Sequence, residues 1–205
     1  MHDSVDAPFV VGRVLRASTT GFDCGARSSG LNGAHSFGAF VKAPLGEDGT
    51  AYVVGVIYAI RIDDDPLARE LVMASALNDY TLYDQCENRM APVEICVLAV
   101  GYFLNGRSIH ALPPRPPMSM AEVTSCTPDE VALFTTRTEF YRLVLNAREA
   151  PCDSLLAASI RAGAAARAAH LQYDYLVDCG RACAGLLSSD LQRLSGVLAQ
   201  LDPGM

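Results

Sequence analysis

The apolar residues of this chain follow two rhythms. From Pro8 to Leu112 they come in short runs bounded by Gly, Pro, Asn and Asp, the way strands and turns are written. Beyond Thr127 they recur three and four apart, the spacing of helix faces. The strongest local signal is Phe37–Pro66, FGAFVKAPLGEDGTAYVVGVIYAIRIDDDP. It predicts a strand over Phe37–Ala43, a turn at Gly46–Thr50 and a long strand over Ala51–Ile62. The long strand has almost no polar position. It is therefore buried on both faces, or it is a barrel wall with something packed outside. Asp63-Asp64-Asp65-Pro66 then starts a helix that runs to Tyr80, with Asp65 as N-cap and Pro66 at the first helical position.

Strands are also expected over Pro8–Ala17 and Ser18–Ala26, with Gly12 marking a bulge or a close backbone approach. A fifth strand spans Ala91–Leu104. Asn105-Gly106 is a two-residue hairpin turn that returns a sixth over Arg107–Leu112. Pro113–Pro117, PPRPP, has no amide hydrogens at its prolines and reads as a linker. No strand is expected after it. Thr127-Pro128-Asp129-Glu130 is a capping box that opens a helix to about Asn146. An Ala-rich helix capped by Asp153 follows, then Tyr173–Leu187, then a last helix capped by Ser188 or Ser189. Leu191, Leu194, Leu198 and Leu201 form a narrow seam on that last helix.

Strands first and helices after argue for an α+β fold rather than an alternating sheet. The expected architecture is a small six-stranded closed β-barrel with an inserted helix, followed by a helical tail. The divisions are 1–112 for the barrel, 113–117 for the linker and 118–205 for the helices. Closure removes the sheet edges that invite aggregation.

Half of the 205 residues are hydrophobic and 19% are charged, enough to build a core. The net charge of −7 gives no overall pull towards nucleic acid or an anionic membrane, so direct nucleic-acid binding is not expected. Lys42 is the only lysine. The seven cysteines are odd in number and include no CxxC, and the acidic start of the chain is not a secretory signal. Free thiols in the cytoplasm are therefore expected, with no membrane span.

Motifs for chemistry are sparse. There is no phosphate-binding GxxxxGK[ST] loop, because Lys42 is followed by Ala43-Pro44; GxSxG, HExxH and GxGxxG are also absent. Asp63–Asp65 has the oxygen ligands for Mg²⁺ or Ca²⁺, but a helix start in water is the plainer reading. Cys179 and Cys183 lie four apart on one helical face, which reads as an apolar stripe before a ligand pair. Cys24 with His35 would make a thiol–imidazole pair if the intervening loop folded back, and His110 is a lone acid–base candidate. Arg137, Arg142 and Arg148 sit among Glu139 and Glu149, the pattern of a salt-bridged solvated face. No catalytic, cofactor or metal residue is assigned.

VGRVLRASTTGF, FGAFVKAP, VVGVIYAIRIDDDP and PVEICVLAVGY with the following HALPPRPP together resemble the HerA/ATP-synthase barrel (HAS-barrel) family, over Phe9 to about Pro117. The resemblance implies a barrel that builds rings and presents docking surfaces rather than one that hydrolyses nucleotide. In HerA-type proteins the barrel precedes a DNA-translocating ATPase that works with the NurA nuclease. Here helices stand in that place. The expected function is a non-enzymatic assembly or docking module. Self-association is expected, and a separate HerA-like ATPase or NurA-like nuclease is the partner implied. Phe37, Phe40, Leu191, Leu194, Leu198 and Leu201 are its candidate interface residues. The alternative is a small ligand-binding protein or enzyme with a pocket at the barrel–helix join.

Overall fold

The computed structural model describes residues 8–27, 30–62 and 92–201. The strands are β1 (Val10–Ala17), β2 (Gly21–Arg27), β3 (Phe40–Pro44), β4 (Ala51–Ile62), β5 (Pro92–Leu104), β6 (Arg107–Ile109) and β7 (Glu122–Ser125). All pairings are antiparallel, in the order β2-β1-β7-β3-β4-β5. Pairing of β2 with β5, from Gly21 opposite Leu98 to Arg27 opposite Pro92, closes the ring. The class is thus α+β with a closed six-stranded barrel. The inserted helix expected after Asp65 lies outside the described residues.

The sixth stave differs from the one expected. The strand after Asn105-Gly106 is only three residues long and pairs with the upper part of β5, outside the ring. The ring is closed by β7, which lies beyond the Pro-rich segment, between β1 and β3. Glu122–Ser125 is short and only Val123 points inward, so its alternation is too brief to read as a strand. Barrel and following segment therefore interlock, and 118–205 is not helical throughout.

The continuous apolar run of β4 has a physical explanation. Val53 and Ile57 point into the barrel with Val11, Val14, Phe22 and Ile95. Val54 and Val56, on the opposite face, join Val100 and Phe103 of β5 in a second core outside the wall. Over Val53–Ile57 both faces are dry because helices cover the outer one, whereas Ile60–Ile62 at the strand end are exposed. Gly12 meets both expectations: the β1–β7 register slips between Val10 and Gly12, and a Cβ there would lie 2.5 Å from the Gly25 carbonyl oxygen.

The covering helices are α1 (Pro128–Phe134), α2 (Tyr141–Leu145), α3 (Cys152–Ala165), α4 (Ala169–Leu186) and α5 (Leu191–Ala199). The capping box forms as expected: Thr127 N–H donates to Glu130 Oε2 at 2.9 Å and Glu130 N–H to Thr127 Oγ1 at 3.3 Å. Glu130 also pairs with Lys42 on β3, which ties the helix start to the barrel wall.

The helix expected to run from Thr127 to Asn146 is instead two. The Thr135 and Thr136 hydroxyls turn back to the Val131 and Ala132 carbonyls, at 2.7 and 2.9 Å, and the chain breaks there. In a continuous helix Phe134 and Phe140, six apart, would point about 120° away from each other. The break lets both rings reach Phe40 on the barrel, each at a centroid distance of 6.0 Å.

Two caps also differ. Asp190, not Ser188 or Ser189, caps α5. Asp153 lies inside the first turn of α3 and grips Arg193 of α5 through both carboxylate oxygens, at 2.7–2.9 Å. Arg167, in the α3–α4 connection, donates to the Ala132 carbonyl at 3.0 Å and to that of Gly163, near the C-terminal ends of α1 and α3. Its guanidinium stacks 3.7 Å from the Tyr175 ring centroid.

Candidate functional site

The Cys24–His35 pair does not form a reactive dyad. Cys24 is fully buried inside the barrel, and burial pushes its thiol up to about 12. His35 has both ring nitrogens engaged by backbone. Nε2 donates to the Val11 carbonyl at 3.1 Å, and Nδ1 accepts from the Asn32 N–H at 3.1 Å. The imidazole therefore pins the loop before β3 onto β1, a structural task.

Six cysteines among the described residues are free thiols. Cys179 and Cys183 are both buried in the outer core, as an apolar stripe requires. Burial raises both, Cys183 to about 11. The Asp63–Asp65 triplet and Cys86 lie outside the described residues. Among the described residues no three His, Cys, Asp or Glu side chains are grouped to hold a metal, and no helix is long and apolar enough to cross a membrane.

His110 is wedged between Phe134 and Phe140, with ring centroids 4.4 and 5.4 Å away. Its Nε2 donates to the Phe134 carbonyl at 2.9 Å. Nδ1 lies 3.2 Å from Glu139 Oε2 without hydrogen-bond alignment. Burial lowers its pKa from the usual 6.5, against the pull of Glu139 and helped by Arg137. The unfolded chain then takes the proton first, so stability is full above 6.5 and falls as pH drops from 6.5 towards the folded value. Denaturation midpoints of the wild type should decline over that window, and His110→Gln should flatten the decline. An opposite slope would mean that Glu139 outweighs burial.

The candidate partner residues separate in space. Phe40 is buried against α1 and α2, and Leu201 is buried in the same outer core; Leu194 packs on it. Phe37, Leu191 and Leu198 remain exposed. The seam is divided because Val197 and Leu194 of α5 meet the core, with Leu201 just beyond the helix, while Leu191 and Leu198 stay outside it.

Sequence reasoning missed two surface features. The first is an uneven barrel wall. Helices cover β3, β4 and β5, leaving Val54, Val56 and Val100 at 0% exposure, whereas Val10 and Leu15 of β1 stand 47% and 55% exposed. Beside them, in the turn before β7, Met120 is 60% exposed and sits at φ 62°, a left-handed value for a residue with a side chain.

The second is a cleft of about 610 Å³ at the barrel–helix join. One wall is the end of the β1–β2 hairpin with Leu98 of β5, and the other is α2 and the loop after it. Arg16, on the barrel side, bonds to both Asp23 and Glu94, and Arg61 reaches Glu94 at 3.3 Å. Arg142 and Arg148 line the opposite wall and form no ion pair among the described residues. Arg137 pairs with Glu139 at 2.6 Å as a salt-bridged solvated face requires, whereas Arg142 and Arg148 are exposed without such a pair among the described residues.

Compared with known proteins, the chain matches no family model and no curated protein.

Proposed function

We propose that this protein is a non-enzymatic barrel module that associates with copies of itself and docks onto a larger cytoplasmic machine. The observation that carries the reading is the uneven wall: one side of the barrel is sealed by helices, and the other presents Val10, Leu15 and Met120 to solvent. Closure of the ring leaves its staves no free edge to pair with, so association runs through the exposed outer face of the wall. The strained Met120 backbone supports the same reading, since such geometry concentrates where binding uses it. The HAS-barrel resemblance makes a separate HerA-like ATPase, or a NurA-like nuclease, the further partner.

Light scattering tests this directly. The wild type should run as an oligomer, and Leu15→Arg with Met120→Arg should shift it to monomer without lowering its melting temperature. A wild type that is strictly monomeric at every concentration, and that fails to bind a HerA-like ATPase from its own cell, would remove the reading.

A further inference from the structure

We propose that the cleft at the barrel–helix join binds a small amphipathic anion: an apolar body carrying one carboxylate- or phosphate-type head. The volume, about 610 Å³, is that of a site for one small molecule. Leu98, Leu112 and Leu143 supply apolar walls from three separate parts of the chain. Leu112 is 43% exposed although it faces this hollow, so the walls have apolar surface left to cover.

The charges set the polarity of the head. Arg16 is neutralised by Asp23 and Glu94 on its own wall. Arg142 and Arg148 have no such partner among the described residues, in a chain whose net charge is −7. Glu149 is the one carboxylate of that wall, so the wall keeps an excess of one positive charge. Guanidinium forks suit carboxylate and phosphate oxygens. Tyr58, also on the cleft, carries a phenol that is protonated at neutral pH and can donate a hydrogen bond.

The site is distinct from the docking wall: neither Leu15 nor Met120 lines it. Its failure would leave the docking reading standing, and the reverse also holds.

Titration with decanoate and decyl phosphate, followed by calorimetry, tests the inference. At least one should bind at a single saturable site with Kd on the order of 0.1 mM, and the stronger of the two identifies the head. Arg142→Gln with Arg148→Gln should weaken that binding about 10-fold or more at an unchanged melting temperature. Arg142→Glu with Arg148→Glu should exchange the preference to decylammonium, which loss of structure cannot mimic. Leu112→Ser should weaken both anions alike, an arm that leaves the two arginines in place. No saturable binding of either anion, or binding that the arginine and Leu112 variants leave unchanged, would overturn the proposal.

Discussion

Phe134→Ala should lower the unfolding free energy by about 3–5 kcal/mol, the range for emptying a buried aromatic site. Phe134 is 1% exposed at the junction of barrel wall and helix layer. Its ring meets Phe103 at 5.8 Å, Phe140 at 5.5 Å and His110 at 4.4 Å, besides Phe40. Aromatic pairs in such tilted and edge contacts add about 0.5–1.5 kcal/mol each beyond burial. No neighbour can collapse into the space easily, because one side is β-sheet and the other is the end of a short helix held by Arg167. The urea midpoint should fall by about 1–2 M. The loss should also be directional. Hydrogen exchange should quicken in α1 and α2 well before it does in β1 and β2, since the barrel interior is a separate core. His110 should regain solvent, and the stability decline below pH 6.5 should soften with it. A loss below about 1 kcal/mol, or uniform quickening of exchange, would show that this cluster does not hold the layers together.

What the residues made legible follows from how local each signal is. The two-faced burial of β4 over Val53–Ile57 could be read because it lies within one uninterrupted apolar run. The Thr127–Glu130 capping box was legible because both partners lie within one turn. Long-range facts were not. Glu122–Ser125 becomes a stave only because β1 and β3 present free edges to it, and four residues contain no record of that. The break at Thr135 is a compromise between helix propensity and the need for two phenylalanines to face one wall, and periodicity alone favoured continuity. The same holds for the candidate site. Arg142 and Arg148 sit among glutamates in the chain, yet only Arg137 finds one in space. The cleft they line is built from the hairpin at Ala17–Gly21 and a loop more than a hundred residues later, so sequence spacing carried no sign of which arginines line it. A pocket at the barrel–helix join was foreseeable as a place, because layers of different curvature rarely meet without a gap. Its chemistry was not.

Gly38→Ala should cost about 2–5 kcal/mol, from two independent causes. The first is backbone: Gly38 sits at φ 86°, where a Cβ costs roughly 1–2 kcal/mol. The second is packing. A Cβ at Gly38 would lie 2.4 Å from Ala158 Cβ and 2.9 Å from its carbonyl carbon, in the middle of α3. Neither atom is the end of a flexible side chain, so helix and loop must separate, at about 1–3 kcal/mol. The loop cannot give way freely either, because Gly38 N–H donates to the Ile57 carbonyl at 2.8 Å on β4. This glycine thus sets how closely α3 approaches the barrel, and the outer core depends on that distance. A double-mutant cycle separates the two causes. Ala158→Gly alone should cost about 1 kcal/mol from helix propensity. In the presence of Gly38→Ala it should cost less, or even restore stability, because it removes the nearer of the two clashes. The backbone part should persist in the double variant. Strict additivity across the cycle would mean that the approach of α3 is not set here and that the left-handed backbone is the whole effect.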